Sequence, residues 1–358
     1  MRAVPVGVVG CGEVAQRVYL PEFHRLHDKA TLVAVCDPVV ERASTAQQRF
    51  GARTYYTDLD CFLRQSDVEL VVNLTPHRAH VPVSMAALTA GRHVYTEKPL
   101  AQSVDDATRL IETAQRHRVQ LACAPIMLLL PTVRRWQQLL HQGTIGRATF
   151  ARAQLLVPAI WAGFSADQAW YFAAGSGPLM DGGVYPLTVL TGLLGPVSRV
   201  SAMAGTITRE HVIGHGSAAG MRLRTEAEDS VHLHLDFGGL FATLDVSWCV
   251  QASRNVTCEV YGEHGTLSGD PTYANTPINV FRPDSGWTVE KPMHRWPRDD
   301  DWVQGVAHLV DCVGHDTPPV NDATHARHVL DIMLTALRSA REGQALTLQT
   351  TFSPPIRQ

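Results

Sequence analysis

The feature that most limits how this chain folds is an alternation repeated over its first third. Short apolar runs rich in β-branched residues fall at 5–9, 31–36, 70–74, 92–95 and 119–123. Between them lie longer stretches of helical period at 14–26, 39–50, 79–90 and 103–117. Continuously apolar strands separated by helices describe a parallel sheet buried on both faces, because the crossover helices must cover it.

The rhythm changes after Pro125. A helix is expected at 131–142, followed by Gly143-Thr144-Ile145-Gly146 and a long strand. From about residue 197 most segments alternate apolar and polar residues. The runs 230–237 and 240–248 are separated by Gly238-Gly239, a hairpin turn signal. A second turn at Gly262-Glu263-His264 joins 255–261 to 265–268, and two late helices are expected near 300–314 and 323–342. The expected organisation is an α/β domain over 1–124 and an α+β domain with a mainly antiparallel sheet over 125–358.

The first strand runs into Gly10-Cys11-Gly12-Glu13-Val14-Ala15, a GxGxxA turn opening a helix. Gly10 permits the tight turn, Gly12 lets the backbone approach a pyrophosphate, and Ala15 lets helix and strand pack closely. The helix start at Glu13 and Val14 offers N–H groups and a partial positive charge to phosphates. The second strand ends in Asp37, at the spacing of the carboxylate that accepts ribose hydroxyls. Asp37 repels a 2′-phosphate, and Pro38-Val39-Val40 follows with no immediate cation, although Arg42 is close. These features describe a Rossmann domain that prefers NAD to NADP.

Further motifs identify a family resemblance. Asn73-Leu74-Thr75-Pro76-His77-Arg78-Ala79-His80 is followed by Ala90-Gly91 and then Thr96-Glu97-Lys98-Pro99-Leu100. Gly175-Ser176-Gly177-Pro178-Leu179-Met180-Asp181-Gly182-Gly183-Val184-Tyr185 comes later. Together with the Gly143–Gly146 turn and Tyr261–Leu267, these segments resemble the Gfo/Idh/MocA oxidoreductases over essentially the whole chain. The resemblance implies a Rossmann domain, then an open-sheet domain whose exposed face forms homodimers or homotetramers, and a sugar-like substrate. It also implies cofactor contacts at Thr75, Pro76, His80, Glu97 and Lys98, a cis bond before Pro99, and an aromatic near nicotinamide or substrate at Trp170. His77 stands where many relatives have Asn.

The catalytic assignment combines this resemblance with the chemistry of the side chains. Lys98 lies just past a parallel strand, at the carboxyl edge where ligands of such sheets bind. An ammonium there stabilises negative charge developing on a substrate oxygen. Asp181 and Tyr185 are four residues apart, so a helix would place them on one face. Gly182, Gly183 and Pro186 suit a helix start and not its interior, which puts Asp181 near the start and Tyr185 in the first turn. The family usually carries His at the position of Tyr185. A nearby cation lowers a phenol's pKa, so Tyr185 with Lys98 is the candidate proton acceptor and Asp181 the residue that orients the hydroxyl or Lys98.

Three functions fit these residues: a dehydrogenase or reductase of a sugar or polyol, a glycosidase that oxidises its sugar transiently, and a cofactor sensor without turnover. Lys98, Asp181 and Tyr185 together argue against a sensor. The seventeen histidines form no recognised metal-binding pattern, and hydride transfer requires no metal. With 31 basic and 34 acidic residues the chain has no cationic excess for nucleic acid. Seven cysteines without CxxC spacing fit free thiols. No segment reads as a leader or membrane span, so a cytoplasmic location is expected.

Overall fold

The computed structural model describes residues 2–158, 169–212 and 219–353, with the side chains at 169 and 170 outside the description. The chain divides into two compact units, residues 1–126 with 301–327 and residues 127–300 with 328–358. This differs from the expected division at 124/125, because a late segment returns to the first unit.

The first unit holds six strands: β1 (Val4–Val9), β2 (Ala30–Cys36), β3 (Thr54–Tyr56), β4 (Leu70–Asn73), β5 (His93–Thr96) and β6 (Leu121–Cys123). They pair in parallel in the order β3-β2-β1-β4-β5-β6. That order places a topological switch point between β1 and β4, where ligands of doubly wound sheets bind. The crossovers include α1 (Val40–Phe50), α2 (Leu59–Gln65), α3 (His80–Thr89) and α4 (Val104–His117). Asp58 caps α2 by accepting the Cys61 amide N–H at 2.7 Å, and Ser103 caps α4 through the Asp106 amide at 3.1 Å.

The helix expected at 14–26 is replaced by a π-helical turn, Ala15–Tyr19, running into a 3-10 segment, Leu20–Leu26. Pro21 sits at the start of that segment, where its missing N–H and its ring interrupt the regular bond ladder.

The second unit opens with α5 (Pro131–His141), β7 (Ala148–Leu156) and α6 (Val184–Leu194). The sheet continues with β8 (Arg199–Gly205), β11 (Ser230–Asp236), β12 (Phe241–Ser247), β13 (Cys258–Gly262), β14 (Gly265–Gly269), β15 (Ile278–Arg282), β16 (Gly286–Glu290) and β17 (Leu346–Thr347). β9 (Glu210–Val212) and β10 (Arg222–Arg224) pair separately. The nine strands follow the order β16-β15-β14-β13-β7-β12-β11-β8-β17. All neighbours are antiparallel except the central pair β7 and β12.

One face of this sheet is buried and the other is not. In β11, Val231, Leu233 and Leu235 are buried while His232 and His234 are exposed. On the accessible face, register places Phe241, Phe150, Tyr261, Thr266, Phe281 and Trp287 side by side across six strands. Phe150 stacks on Tyr261 at 5.7 Å between ring centres, and Phe281 packs on Trp287 at 5.4 Å.

The chain ends with α7 (Val303–His315) and α8 (Ala323–Glu342). The apolar side of α7, including Val303, Val306, Leu309 and Val310, completes the core around β1 and Tyr95. Gly305 permits the contact, since a methyl group there would lie 2.3 Å from the Tyr95 hydroxyl. Among the described residues no helix is long and apolar enough to cross a membrane.

Candidate active site

The glycine turn joins β1 to the π turn. Gly10 has φ +91°, and a β-carbon there would lie 2.7 Å from the backbone of Leu74 and Thr75. Gly10 is therefore fixed by the fold itself, because β4 leads into its loop directly against it. At Gly12 a β-carbon would meet nothing within 4 Å. Its missing side chain opens a space that the protein does not fill. Ala15 is fully buried, as close helix–strand packing requires. Glu13 is ion-paired with Arg17 at 2.5 Å, and Val14 is half-buried.

Asp37 closes the other side of this turn. Its Oδ2 accepts the Cys11 amide N–H at 2.9 Å and its Oδ1 accepts that of Val39 at 2.9 Å. The two bonds hold the carboxylate at the end of β2. A carboxylate has further lone pairs, so acceptor capacity remains for hydroxyl groups. The open position at Gly12 and the anchored acceptor at Asp37 fit a dinucleotide.

The lysine turn follows β5. Lys98 is half-buried and its bond to Pro99 is cis. Glu97 is buried, and its Oε2 accepts the Lys98 backbone N–H at 2.9 Å. Its Oε1 accepts the Tyr19 hydroxyl at 2.6 Å. Tyr19 is itself buried, and burial beside the Glu97 carboxylate pushes its phenol well above the ordinary value, so it acts here as a donor. Thr75 and Pro76 lie past β4. The Thr75 hydroxyl donates to Asn73 Oδ1 at 2.6 Å, while the Asn73 amide donates to the His80 carbonyl and to Ser84 Oγ, each at 3.0 Å. Pro76 is exposed. The His80 ring is buried, with Nδ1 2.7 Å from the Pro99 carbonyl and Nε2 2.9 Å from that of Thr75. Both nitrogens thus face main-chain groups of these loops. His77 is half-buried, and burial together with His80, Arg78 and Lys98 lowers its pKa.

Asp181 and Tyr185 belong to the second unit. The helix starts earlier than expected: Pro178 leads a π turn, Leu179–Gly183, that runs straight into α6. Asp181 lies inside this turn and is not its cap. Its amide donates to the Gly177 carbonyl at 3.0 Å. The two glycines after it are required by packing. A β-carbon at Gly182 would lie 2.2 Å from Leu155 of β7, and one at Gly183 would lie 2.8 Å from Leu179 and 3.4 Å from Val246 of β12. The turn rests on the sheet through them, leaving Asp181 and Tyr185 half-buried among buried neighbours. Trp170 lies on the 3-10 turn Ala169–Phe172, and its side chain is outside the described residues. Phe172 packs on Trp248 at 5.4 Å and on His211 at 5.1 Å.

Tyr19 is the site residue that sequence reasoning did not find. Its partner lies 78 residues away, and no spacing rule connects them. Among the described residues no group of three or more His, Cys, Asp or Glu side chains gathers as a metal site.

Comparison with known proteins bears on the family and the fold. Residues 4–124 match the family model described as the oxidoreductase family with an NAD-binding Rossmann fold. Residues 133–268 match the GFO/IDH/MocA C-terminal domain. The chain belongs to the Gfo/Idh/MocA oxidoreductase family. It is 29% identical to a dTDP-3,4-didehydro-2,6-dideoxy-alpha-D-glucose 3-reductase of Streptomyces violaceoruber, over 87% of this chain and 86% of that protein. Two solved structures share the fold. Aldose-aldose oxidoreductase from Caulobacter crescentus has a TM-score of 0.80 at 22% identity, covering 97% of this chain and all of that one. The WlbA dehydrogenase from Bordetella pertussis, in complex with NADH and UDP-GlcNAcA, has a TM-score of 0.77 at 23% identity, covering 97% and 99%. Residues 4–124 thus form an NAD-binding Rossmann domain, and the Streptomyces relative is by name a reductase of a dTDP-sugar.

Proposed function

We propose that this Gfo/Idh/MocA member transfers a hydride between NAD and the carbinol or carbonyl carbon of a sugar derivative, with Lys98, Asp181 and Tyr185 handling the proton. The observation that carries the reading is the lysine turn. The backbone of Lys98 is fixed by a buried carboxylate that is itself fixed by Tyr19. A lysine serving only solubility needs no such support.

Gly10, Gly12, Glu13, Val14 and Asp37 hold the nucleotide, with the loops at Thr75 and Glu97–Lys98. When bound, NAD supplies the electrophilic carbon that accepts hydride. The Lys98 ammonium binds the reacting substrate oxygen and stabilises its negative charge. Asp181 orients the hydroxyl. Tyr185 takes the hydroxyl proton during oxidation and returns it during reduction, its phenol made more acidic by the cationic lysine. Preference for NAD over NADP rests on Asp37, whose charge repels a 2′-phosphate.

The test is calorimetric binding of NAD and NADP, then absorbance of NADH with a panel of sugars and polyols. NAD binding and NADH production on one substrate class support the reading. Lys98→Met is expected to lower kcat by about 100-fold or more at saturating NAD. If Tyr185→Phe keeps near-full activity and Lys98→Met does not, the proton belongs to Lys98. Cofactor binding without net NADH would favour a transiently oxidising glycosidase.

We also propose that the accessible sheet face pairs with a second copy of the chain, because the aromatic row from Phe241 to Trp287 is long and apolar. Light scattering on Phe241→Glu is expected to show a monomer where the wild type is a homodimer or homotetramer. A monomeric wild type would refute this.

A further inference from the structure

The His80 imidazole contacts two loops at once, and both contacts are carbonyl oxygens. A carbonyl only accepts, so each contact needs a ring N–H. A neutral imidazole has one. The ring therefore makes both bonds only as the cation, and releases one carbonyl when it loses a proton. Thr75 belongs to the loop after β4, which faces the glycine turn through Gly10. Pro99 is the residue after Lys98. His80 thus stands between the cofactor seat and the turn that carries the ammonium.

We propose that His80 is a positioning residue whose ring ties the Thr75 loop to the Lys98–Pro99 turn, fully when protonated and through one bond when neutral. The inference rests on the dinucleotide reading given above. Burial holds the ring's proton affinity below the ordinary imidazole value, and Lys98 acts in the same direction. The Pro99 and Thr75 carbonyls and Glu97 oppose them. His77 is the neighbouring imidazole, with Arg78 beside it. The full clamp therefore belongs to pH below the ordinary imidazole range, and one bond is released as pH rises.

The test is NAD binding by calorimetry between about pH 5 and pH 8, without substrate, for the wild type, His80→Gln and His80→Phe. Wild-type affinity is expected to weaken by about three- to tenfold as pH rises through the ring's titration, the worth of one hydrogen bond. His80→Phe has no ring N–H, so it should bind more weakly than wild type across the range and show no such step. His80→Gln keeps one amide donor, so it should match the neutral wild type and lose only the acid gain. A purely structural role would change thermal stability without removing the pH step. In case neither variant folds, nitrogen-15 spectra of histidine-labelled wild type read the ring directly. Two protonated, hydrogen-bonded ring nitrogens on the acid side, titrating together with NAD affinity, support the clamp. A wild-type profile without a step, or a step that survives in His80→Phe, overturns it. Absence of NAD binding at every pH would overturn the dinucleotide reading and this inference with it, whereas binding with a flat profile overturns this inference alone.

Discussion

Gly10 and Gly12 sit two residues apart in the same motif, and the structure gives them opposite reasons for being glycine. Gly10→Ala places a methyl group 2.7 Å from backbone atoms of Leu74 and Thr75 at φ +91°. The left-handed backbone costs about 1–2 kcal/mol for an L side chain. The overlap is with main chain and not a flexible side-chain end, so β1 or the loop after β4 must shift, adding about 1–3 kcal/mol. The total is about 2–5 kcal/mol of lost stability, with cofactor affinity falling as a consequence. Gly12→Ala meets no atom within 4 Å and lies outside the left-handed region. In the empty protein it should be neutral, or stabilising by about 0.4–1 kcal/mol through the unfolded chain. With NAD, its methyl group intrudes where the pyrophosphate approaches, and an overlap of about 1–3 kcal/mol corresponds to a loss of about 5- to 150-fold in affinity. Urea unfolding of the empty proteins and NAD calorimetry separate the two. The reasoning fails if Gly12→Ala binds NAD like wild type, or if Gly10→Ala is as stable as wild type.

Other substitutions test the supports of the site. Tyr19→Phe removes the donor to Glu97 Oε1 and leaves a buried carboxylate oxygen unpaired; it should cost about 1.5–3 kcal/mol in urea unfolding and lower kcat. Wild-type stability in that variant would mean that the bond contributes nothing. Asp37→Asn keeps an acceptor but loses the charge, so discrimination against NADP should fall by about tenfold, measured as the ratio of the two dissociation constants. An unchanged ratio would move cofactor selectivity elsewhere, with Arg42 the next residue to vary. Burial and the Asp37 charge push the Cys11 and Cys36 thiols up to about 12. In the folded state both should resist thiol reagents at pH 8, reacting only on unfolding. Because the unfolded thiols lose protons near the ordinary 9.0 while the folded ones keep them, stability should fall as pH rises from about 9 towards 12. A Cys11→Ala, Cys36→Ala double variant should show a shallower fall.

The local parts of this architecture were legible in the sequence. Five of the six parallel strands follow from β-branched runs, and the glycine turn and Asp37 from their spacing. β3 and α2 were not read, because a three-residue, partly exposed strand and a two-turn helix carry too short a pattern. The helix at 14–26 was read from period alone, yet Pro21 divides it and the first part is a π turn. The late helix α7 was expected, but an amphipathic pattern says that a face is buried and not against what. Only the fold shows that it covers the first unit, with Gly305 against Tyr95.

The same limit applies to the site, where the motif names the reactive group and distant residues hold it. Glu97 and Lys98 are adjacent in sequence, so their pairing was visible as a motif. The Tyr19 hydroxyl that orients Glu97 and the His80 ring that reaches Pro99 are separated from them by 78 and 19 residues. Their acceptors are a side chain in the turn after β5 and a main-chain carbonyl, for which residue type gives no signature. The backbone around Lys98 is held from both sides, by Glu97 and through Pro99 by His80, which limits where its ammonium can reach. If that is the purpose of the arrangement, Tyr19→Phe and His80→Phe should lower kcat by more than Lys98→Arg raises KM. Both act on the placement of the charge, whereas arginine keeps the charge but replaces a compact ammonium with a planar guanidinium whose donors are differently arranged. The opposite ordering, measured on one substrate at saturating NAD, would show that the turn tolerates movement and that the ammonium finds the substrate by its own flexibility.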